Sequence, residues 1–388
     1  MKGILSPAHQ DRYDEFRQFV GVNVEPFADD WDRNGHMPSD VIRRLGQTGY
    51  LGAILPPEYG GAGWDFVTFG MLNEALGRGS SSLTVLLTVQ SMVATTIARW
   101  GTPRQKERWL PSLASGDIIA AFCLTEPAAG SAINEIETEY SHHGKGFLLS
   151  GTKRYITFGE VADVYLVFGY VEGKSIACLV AKDTPGVKVI PIKDMLGFRS
   201  CHLAQLEFDN VEIAPEQVIG KAGFALSHIA LLGLHYGRMS TAFSATGLIR
   251  ACLETGIDRA AGRVIAGVPL DQVEAVRDLV AGMGIGYETS LLFCLRAARS
   301  EDERSPQAIE NTITAKYIAS RHAVDAAGHA VQIGGAYGCH EGSSPAGRYY
   351  RDSKIMEIIE GTSQVLQKVI SNYYINHYKT FNCATAEA

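Results

Sequence analysis

Apolar positions recur at the helical interval in the first third of the chain. Pro38-Ser39-Asp40 stands ahead of Val41, Ile42 and Leu45, an i, i+1, i+4 face that predicts an amphipathic helix. Thr102-Pro103 before Gln105–Leu110 puts a capping hydroxyl ahead of a proline at the first helical position, which predicts a helix start. Between them, Leu55-Pro56-Pro57-Glu58-Tyr59-Gly60-Gly61-Ala62-Gly63 is too dense in Pro and Gly for regular structure and predicts a loop. Near residue 119 the pattern changes. Phe147-Leu148-Leu149, Val164–Val167, Ser175–Ala181, Val187–Ile192 and Ala204–Ile213 are short, β-branched or aromatic, and separated by turn residues; they predict an antiparallel sheet or barrel. From about residue 223 the helical period returns, with Val273, Val276, Val280 and Met283 on one face and Ser305-Pro306 opening a helix that carries Ile309, Ile313 and Tyr317. Helices, then strands, then helices predict an N-terminal α-helical domain over 1–118, a central β-domain over 119–222 and a C-terminal helical domain over 223–388. The tail after about Lys379 has no pattern and is expected to fray.

Composition narrows the class. A chain of 388 residues accommodates two or three domains at roughly 100–200 residues each. With 46% hydrophobic and 20% charged residues it reads as folded and globular. The balance of 35 Lys+Arg against 42 Asp+Glu, a net charge of −7, argues against a nucleic-acid surface. The opening MKGILSPAHQDRYDEF shows no secretory h-region. Apolar runs such as Ala225–Leu234 are broken by Ser227, His228 and Gly233, short of the ~18 residues a bilayer needs, so no membrane insertion is expected. The 7 cysteines are odd in number, scattered and without a CxxC pair, which excludes a disulfide framework and fits a cytoplasmic location.

Candidate chemistry is concentrated in a few segments. Gly282-Met283-Gly284-Ile285-Gly286 looks like part of a dinucleotide fingerprint, but it lies in a helical pattern with no strand before it, so no Rossmann site is expected. His142-His143 and Cys339-His340-Glu341 lack partners at metal-ligand spacing, so no metal is expected. Phe122-Cys123-Leu124-Thr125-Glu126-Pro127-Ala128-Ala129-Gly130-Ser131 either lets a bulky polar ligand approach backbone N–H groups or is an ordinary turn. Tyr155 and Thr157 occupy alternate positions and hence one strand face, either over a planar cofactor or as a packing pair. Gln332-Ile333-Gly334-Gly335-Ala336-Tyr337-Gly338 is a glycine helix end or a close approach to a phosphate. Glu360 precedes Gly361-Thr362-Ser363 at the break between two helical patterns, where Thr362 or Ser363 can cap the second.

In this order these segments resemble the acyl-CoA dehydrogenase family of flavoproteins, from Gly49-Tyr50-Leu51-Gly52 to about Ile370. The resemblance also takes in Glu58-Tyr59-Gly60-Gly61, Glu74-Ala75-Leu76-Gly77-Arg78, Gly101-Thr102, Leu110-Pro111 and Ala114-Ser115-Gly116. Leu124-Thr125-Glu126-Pro127 and Ile359-Glu360-Gly361-Thr362-Ser363 are its most specific blocks. It implies an α+β, mostly α chain: a helical N-domain, a central antiparallel β-barrel or sheet and a C-terminal four-helix bundle. FAD lies between the last two, in a homodimer or homotetramer whose neighbouring subunit partly encloses the flavin.

Carried over by position, the resemblance implies that Phe122, Leu124, Thr125 and Ser131 belong to the flavin-facing first β-segment, Ser131 also facing substrate. Tyr155 and Thr157 belong to the segment at the isoalloxazine ring, with the hydroxyl near N5. Arg263, Gln332 and Gly335 reach the neighbouring subunit's FAD phosphates, and Thr362 and Gln364 lie on the adenosine side. Glu360 is the catalytic base, Arg238 organises the pocket and Gly361 lies against substrate. Gly237 sits where some relatives keep an alternative base, and its lack of a carboxylate leaves Glu360 as the sole base. An α-C–H beside a thioester is a weak acid, so the base must be desolvated; the β-hydride goes to flavin N5.

The chain departs from the family pattern at Tyr155 for Trp, Ala132 for Asp, Arg199-Ser200-Cys201-His202-Leu203 for Arg-x-Ser-x-Thr, Ala336 for Gly, Ala266 for an aromatic residue and Glu274 for Gln. The leading expectation is FAD-dependent α,β-dehydrogenation of a small or medium acyl thioester, with electron transfer flavoprotein or oxygen as acceptor. The departures raise the alternative of similar chemistry on an acyl carrier protein thioester in polyketide or peptide biosynthesis. A non-catalytic flavin or acyl-thioester binding protein is the third possibility, and the intact Glu360 argues against it.

Overall fold

The computed structural model describes residues 4–386, with side-chain surroundings through Tyr378. Six helices lead the chain among the described residues: α1 (Pro7–Asn23), α2 (Ala28–Asn34), α3 (Ser39–Gln47), α4 (Phe66–Gly79), α5 (Ser81–Trp100) and α6 (Pro103–Ser115). Their starts follow the local chemistry. Asp65 accepts from the Thr68 N–H at 2.7 Å to open α4, and Ser80 from the Leu83 N–H at 3.3 Å to open α5. At α6, Thr102 accepts from the Gln105 N–H at 3.3 Å while the Gln105 side chain accepts from the Thr102 N–H at 2.7 Å. The Pro- and Gly-rich stretch at 55–63 is a loop around one 3-10 turn, Pro57–Tyr59.

Strands β1 (Ala120–Cys123), β2 (Glu139–His143), β3 (Gly146–Ile156), β4 (Val164–Val171), β5 (Lys174–Ala181), β6 (Val187–Pro191) and β7 (Ala204–Ile213) form a seven-stranded sheet. The path runs β1-β4-β2-β3-β7-β6, with β5 also on β4. The expectation of an antiparallel sheet needs a correction: β1 runs parallel to β4, from Ala120 beside Val164 to Cys123 beside Val167, and Glu139 of β2 pairs in parallel with Tyr170. The β2–β3 hairpin lies between β1 and β4 in sequence, so β1 and β4 are joined by a crossover and run the same way.

The C-terminal part holds α7 (Leu231–Ala261), the small hairpin β8 (Val264–Ile265) and β9 (Val268–Pro269), then α8 (Glu274–Asp302), α9 (Ala308–Gly334), α10 (Ala336–Cys339), α11 (Ala346–Met356) and α12 (Ser363–Ala386). The glycines at 282, 284 and 286 lie inside α8, without a strand before them. Helix α12 continues past Lys379, where fraying was expected; the last two residues of that tail lie outside the described residues.

Helix α7 is the hub, packed on α4, α5, α8 and α9. Glycines let α4 and α7 touch backbone to backbone. A methyl on Gly77 would lie 2.3 Å from the Ser244 carbonyl oxygen, and one on Gly247 2.0 Å from that of Glu74. Helix α5 has the length and hydropathy of a membrane span, but 89% of its apolar window is buried within the protein. His202, one of the departures from the family pattern, joins the first helices to the sheet. Its Nδ1 lies 3.1 Å from Glu160 Oε2 and its Nε2 2.9 Å from the Met37 carbonyl oxygen.

The α4–α7 crossing sets a test. Gly77→Ala is expected to lower stability in urea melts by about 1–3 kcal/mol, because the obstructing atoms are backbone. Gly21→Ala, in α1 with nothing within 4 Å, is expected to gain up to about 1 kcal/mol from helix propensity. Equal effects at the two positions would refute the close crossing.

Candidate active site

Helix α11 ends at Met356 and α12 begins at Ser363, and Glu360 lies in the turn between them with a left-handed φ of 54°, followed by Gly361 at 98°. Glycine accepts that backbone freely; for Glu360 it is a conformation that other contacts must hold. Those contacts are cations on successive carbonyls. Arg238 Nε of α7 donates to the Glu360 carbonyl at 3.0 Å, and Lys316 Nζ of α9 donates to the Gly361 carbonyl at 2.8 Å.

The turn presses the Glu360 carboxylate onto the bare Cα of Gly237. A methyl there would lie 2.3 Å from Oε2 and 3.0 Å from Oε1. Oε2 is buried and has no hydrogen-bond donor among the described residues. Burial pushes the Glu360 carboxyl up to about 7, with the positive charges of Arg238 and Lys316 holding it from rising further. Lys316 is wholly buried, and the same desolvation pushes its ammonium down to about 7. The arrangement provides a half-buried carboxylate at the boundary of protonation, with one oxygen, Oε2, shut away from solvent and free of donors.

The loop after β1 is tied to the end of β3 by a second buried lysine. Lys153 Nζ donates to the Leu124 carbonyl at 3.1 Å and to Glu126 Oε1 at 2.7 Å. Glu126 also accepts from the Glu137 and Thr138 N–H groups and from the Thr138 hydroxyl. Burial raises the Glu126 carboxyl, but these bonds together outweigh it and hold the group below its ordinary value. Thr125 lies within this tie, its carbonyl accepting from the Arg154 N–H at 3.0 Å.

Tyr155 is half exposed and stands at a register break between Lys153 and Ile156, with φ of 63° and the Arg154 guanidinium 5.2 Å from its ring centre. The alternation argument for Tyr155 and Thr157 therefore fails: the bulge re-aims Tyr155, and Thr157 lies beyond the end of β3. Phe122 and Leu124 turn inward. The Phe122 ring packs on Gly233 of α7 and on Phe168, its centre 4.8 Å from that ring. Ser131 and Gln364 are exposed. Thr362 caps α12, its Oγ1 accepting from the Val365 N–H at 3.3 Å, so the capping role read from its sequence position is present.

Arg263, Gln332 and Gly335 line one cavity of about 520 Å³ with Arg259, Gly334 and Tyr337. None of the residues around Glu360 or Tyr155 borders it. Gly335 has φ of 58°, and nothing lies within 4 Å of the position a methyl would take there or on Gly334. Arg259 Nε is buried without an acceptor among the described residues. An open glycine backbone beside two arginines suits the phosphates of a dinucleotide, and a half-exposed ring held by a bulge suits a planar flavin. The residues present fit FAD.

Sequence reasoning missed Lys316, Lys153 and Glu126. For Lys316 the signal was there: Ile313, Lys316 and Ser320 share the buried face of α9 at helical spacing. A lysine on an apolar helical face is a functional or structural signal that periodicity alone brings out.

Three family models cover most of the chain: acyl-CoA dehydrogenase N-terminal domain over residues 6–117, middle domain over 121–211 and C-terminal domain over 227–374. The chain is 34% identical over 365 residues to an acyl-CoA dehydrogenase of Bacillus subtilis, covering 92% of this chain and 96% of that protein. Butyryl-CoA dehydrogenase from Megasphaera elsdenii superposes with a TM-score of 0.92 at 29% identity, over 97% of this chain and 100% of that one. FkbI, of the biosynthesis of the methoxymalonyl extender unit of the polyketide FK520, superposes with a TM-score of 0.85 at 30% identity, over 94% and 99%.

Lys153→Met is expected to destabilise the protein by about 3–5 kcal/mol, because Glu126 is left as a buried charge without its partner. A denaturant midpoint unchanged from the unmodified protein would show that the pair does not hold the loop.

Proposed function

The chain belongs to the acyl-CoA dehydrogenase family, FAD-dependent oxidoreductases acting on CH–CH donors, and on that premise we propose that it introduces an α,β double bond into a small or medium acyl thioester, with Glu360 taking the α-proton. The observation that carries this reading is the donor-free, buried Oε2 of Glu360 lying against Gly237.

With Oε2 buried and free of donors, Glu360 keeps lone pairs for a carbon acid, and its raised proton affinity brings it closer to that acid. The Glu360 N–H has no acceptor among the described residues and is available to the thioester carbonyl, where negative charge collects as the proton leaves. Arg238 and Lys316 add positive potential at the Glu360 carboxylate. FAD, when bound, supplies the acceptor for the β-hydride at N5. Tyr155 and Thr157 would stand by its ring, with Thr125 and Ser131 on the same loop system, and Thr362, Gln364 and Gly361 beside the turn. Phe122 and Leu124 support that loop by packing their side chains into the core rather than by presenting them to the flavin.

The cavity of Arg263, Gln332 and Gly335 is separate from Glu360, which supports the reading that it serves the FAD phosphates of a second subunit in a homodimer or homotetramer. Either electron transfer flavoprotein or oxygen can take up the electrons.

A carrier-protein thioester is the second reading of the substrate. It is favoured by the family-atypical Tyr155, Ala132, Ala266, Glu274 and Ala336, and the likeness to FkbI favours a setting in polyketide biosynthesis.

Glu360→Gln is expected to keep bound FAD and its yellow colour but to lose flavin bleaching by substrate by at least about 10²–10⁴-fold in rate. Retained bleaching would place the base elsewhere, and a protein that stays colourless with added FAD would refute the flavoenzyme reading. In the unmodified enzyme kcat/KM should rise with pH through about 7, because the base acts when deprotonated. Mass spectrometry of products from one acyl group offered on CoA and on a carrier protein decides the thioester: a clear preference for CoA removes the second reading.

A further inference from the structure

A lysine buried to 0% exposure, in the middle of a helix, needs a reason, since a methionine would fill the same volume without an ammonium to desolvate. The Lys316 ammonium donates to the Gly361 carbonyl at 2.8 Å. The other carboxylate close by, Glu357, is already bound by Arg321 at 3.1 Å and Lys354 at 2.6 Å. Lys316 is thus committed to the turn that carries Glu360.

We propose that Lys316 is a positioning residue for the catalytic carboxylate: its ammonium and the Arg238 guanidinium clamp the consecutive carbonyls of the Glu360–Gly361 turn and so hold the Glu360 side chain against Gly237. This rests on the reading of Glu360 as the base. The turn is left-handed at both residues; the Ser363 N–H donates to the Glu357 carbonyl at 3.1 Å across its ends, which leaves the Glu360 and Gly361 carbonyls to the two cations. The clamp closes it from two directions, Arg238 from α7 and Lys316 from α9.

The same ammonium acts on Glu360 through space. Burial raises the carboxyl, and the charges of Arg238 and Lys316 oppose that rise. The charged groups around Lys316 are Arg238 from α7, Glu357 and Glu360 from the α11–α12 turn, Arg321 from its own helix and Lys354 from α11, the last two sharing the single Glu357 carboxylate. Loss of the Lys316 charge therefore raises the pKa of Glu360.

The test uses the FAD-loaded enzyme and the variants Lys316→Met and Lys316→Gln. Lys316→Met is expected to keep FAD, to lose tenfold or more in kcat and to move the rising limb of kcat/KM to higher pH. Lys316→Gln, which keeps a donor without the charge, is expected to regain part of kcat while its limb stays displaced. Infrared titration of the Glu360 carboxyl band, assigned by its disappearance in Glu360→Gln, should show the same displacement with or without FAD.

Both variants with kcat within twofold of the unmodified enzyme and an unmoved band would overturn the proposal. So would a loss of kcat with neither limb nor band displaced, which is what a merely structural lysine produces. If Lys316→Met does not fold, Lys316→Gln and its infrared titration decide by the same criteria. Bleaching retained in Glu360→Gln refutes the base reading instead, and the band displacement in the Lys316 variants still tests the clamp.

Discussion

The Glu360 carboxyl is largely desolvated, which raises its proton affinity, and the rest of the site is arranged around that desolvation. A buried carboxyl with no donor is costly, because nothing in the interior replaces its hydration. Here the cost is met by geometry at a distance: cations hold the backbone that carries the group and leave its Oε2 alone. A salt bridge straight onto the carboxylate would stabilise the charge more and lower its proton affinity.

That solution needs rigid long helices. Arg238 and Lys316 reach the turn from α7 and α9, which pack on one another along most of their lengths, and α7 is fixed in turn by its glycine crossing with α4. The sheet uses the same kind of device at its own loop, where Lys153 joins the Leu124 carbonyl to Glu126. In both places a buried ammonium serves as a strut between a long element and an irregular one, so that loops without regular hydrogen bonding keep a defined shape.

Much of this was legible beforehand. The change of period near residue 119 and its return near 223 gave the order of helices and strands, because amphipathic periodicity records which face is buried. Thr102 and Gln105 marked a helix start that the capping box realises. Other parts were hidden for identifiable reasons. Ala120–Cys123 is short and buried on both sides, with no turn chemistry to announce a strand, and its parallel partner lies beyond a hairpin. His142 and His143, considered in the sequence as metal ligands, face solvent and form part of β2, paired with β3. Tyr155 escaped the period-two argument because a bulge is a backbone event that side-chain identity does not encode. The clamp on Glu360 joins residues from distant helices, and no local spacing connects them.

The bare Cα of Gly237 has a consequence for how such a site can vary. Its missing side chain and the Glu360 carboxylate occupy one volume, so positions 237 and 360 are two doors to a single room. A side chain entering at 237 displaces the one arriving from 360. A lineage that relocated its base between these helices would have to change both positions together, and a chain caught with two large residues or two small ones would have either a collision or a hole where its chemistry should be.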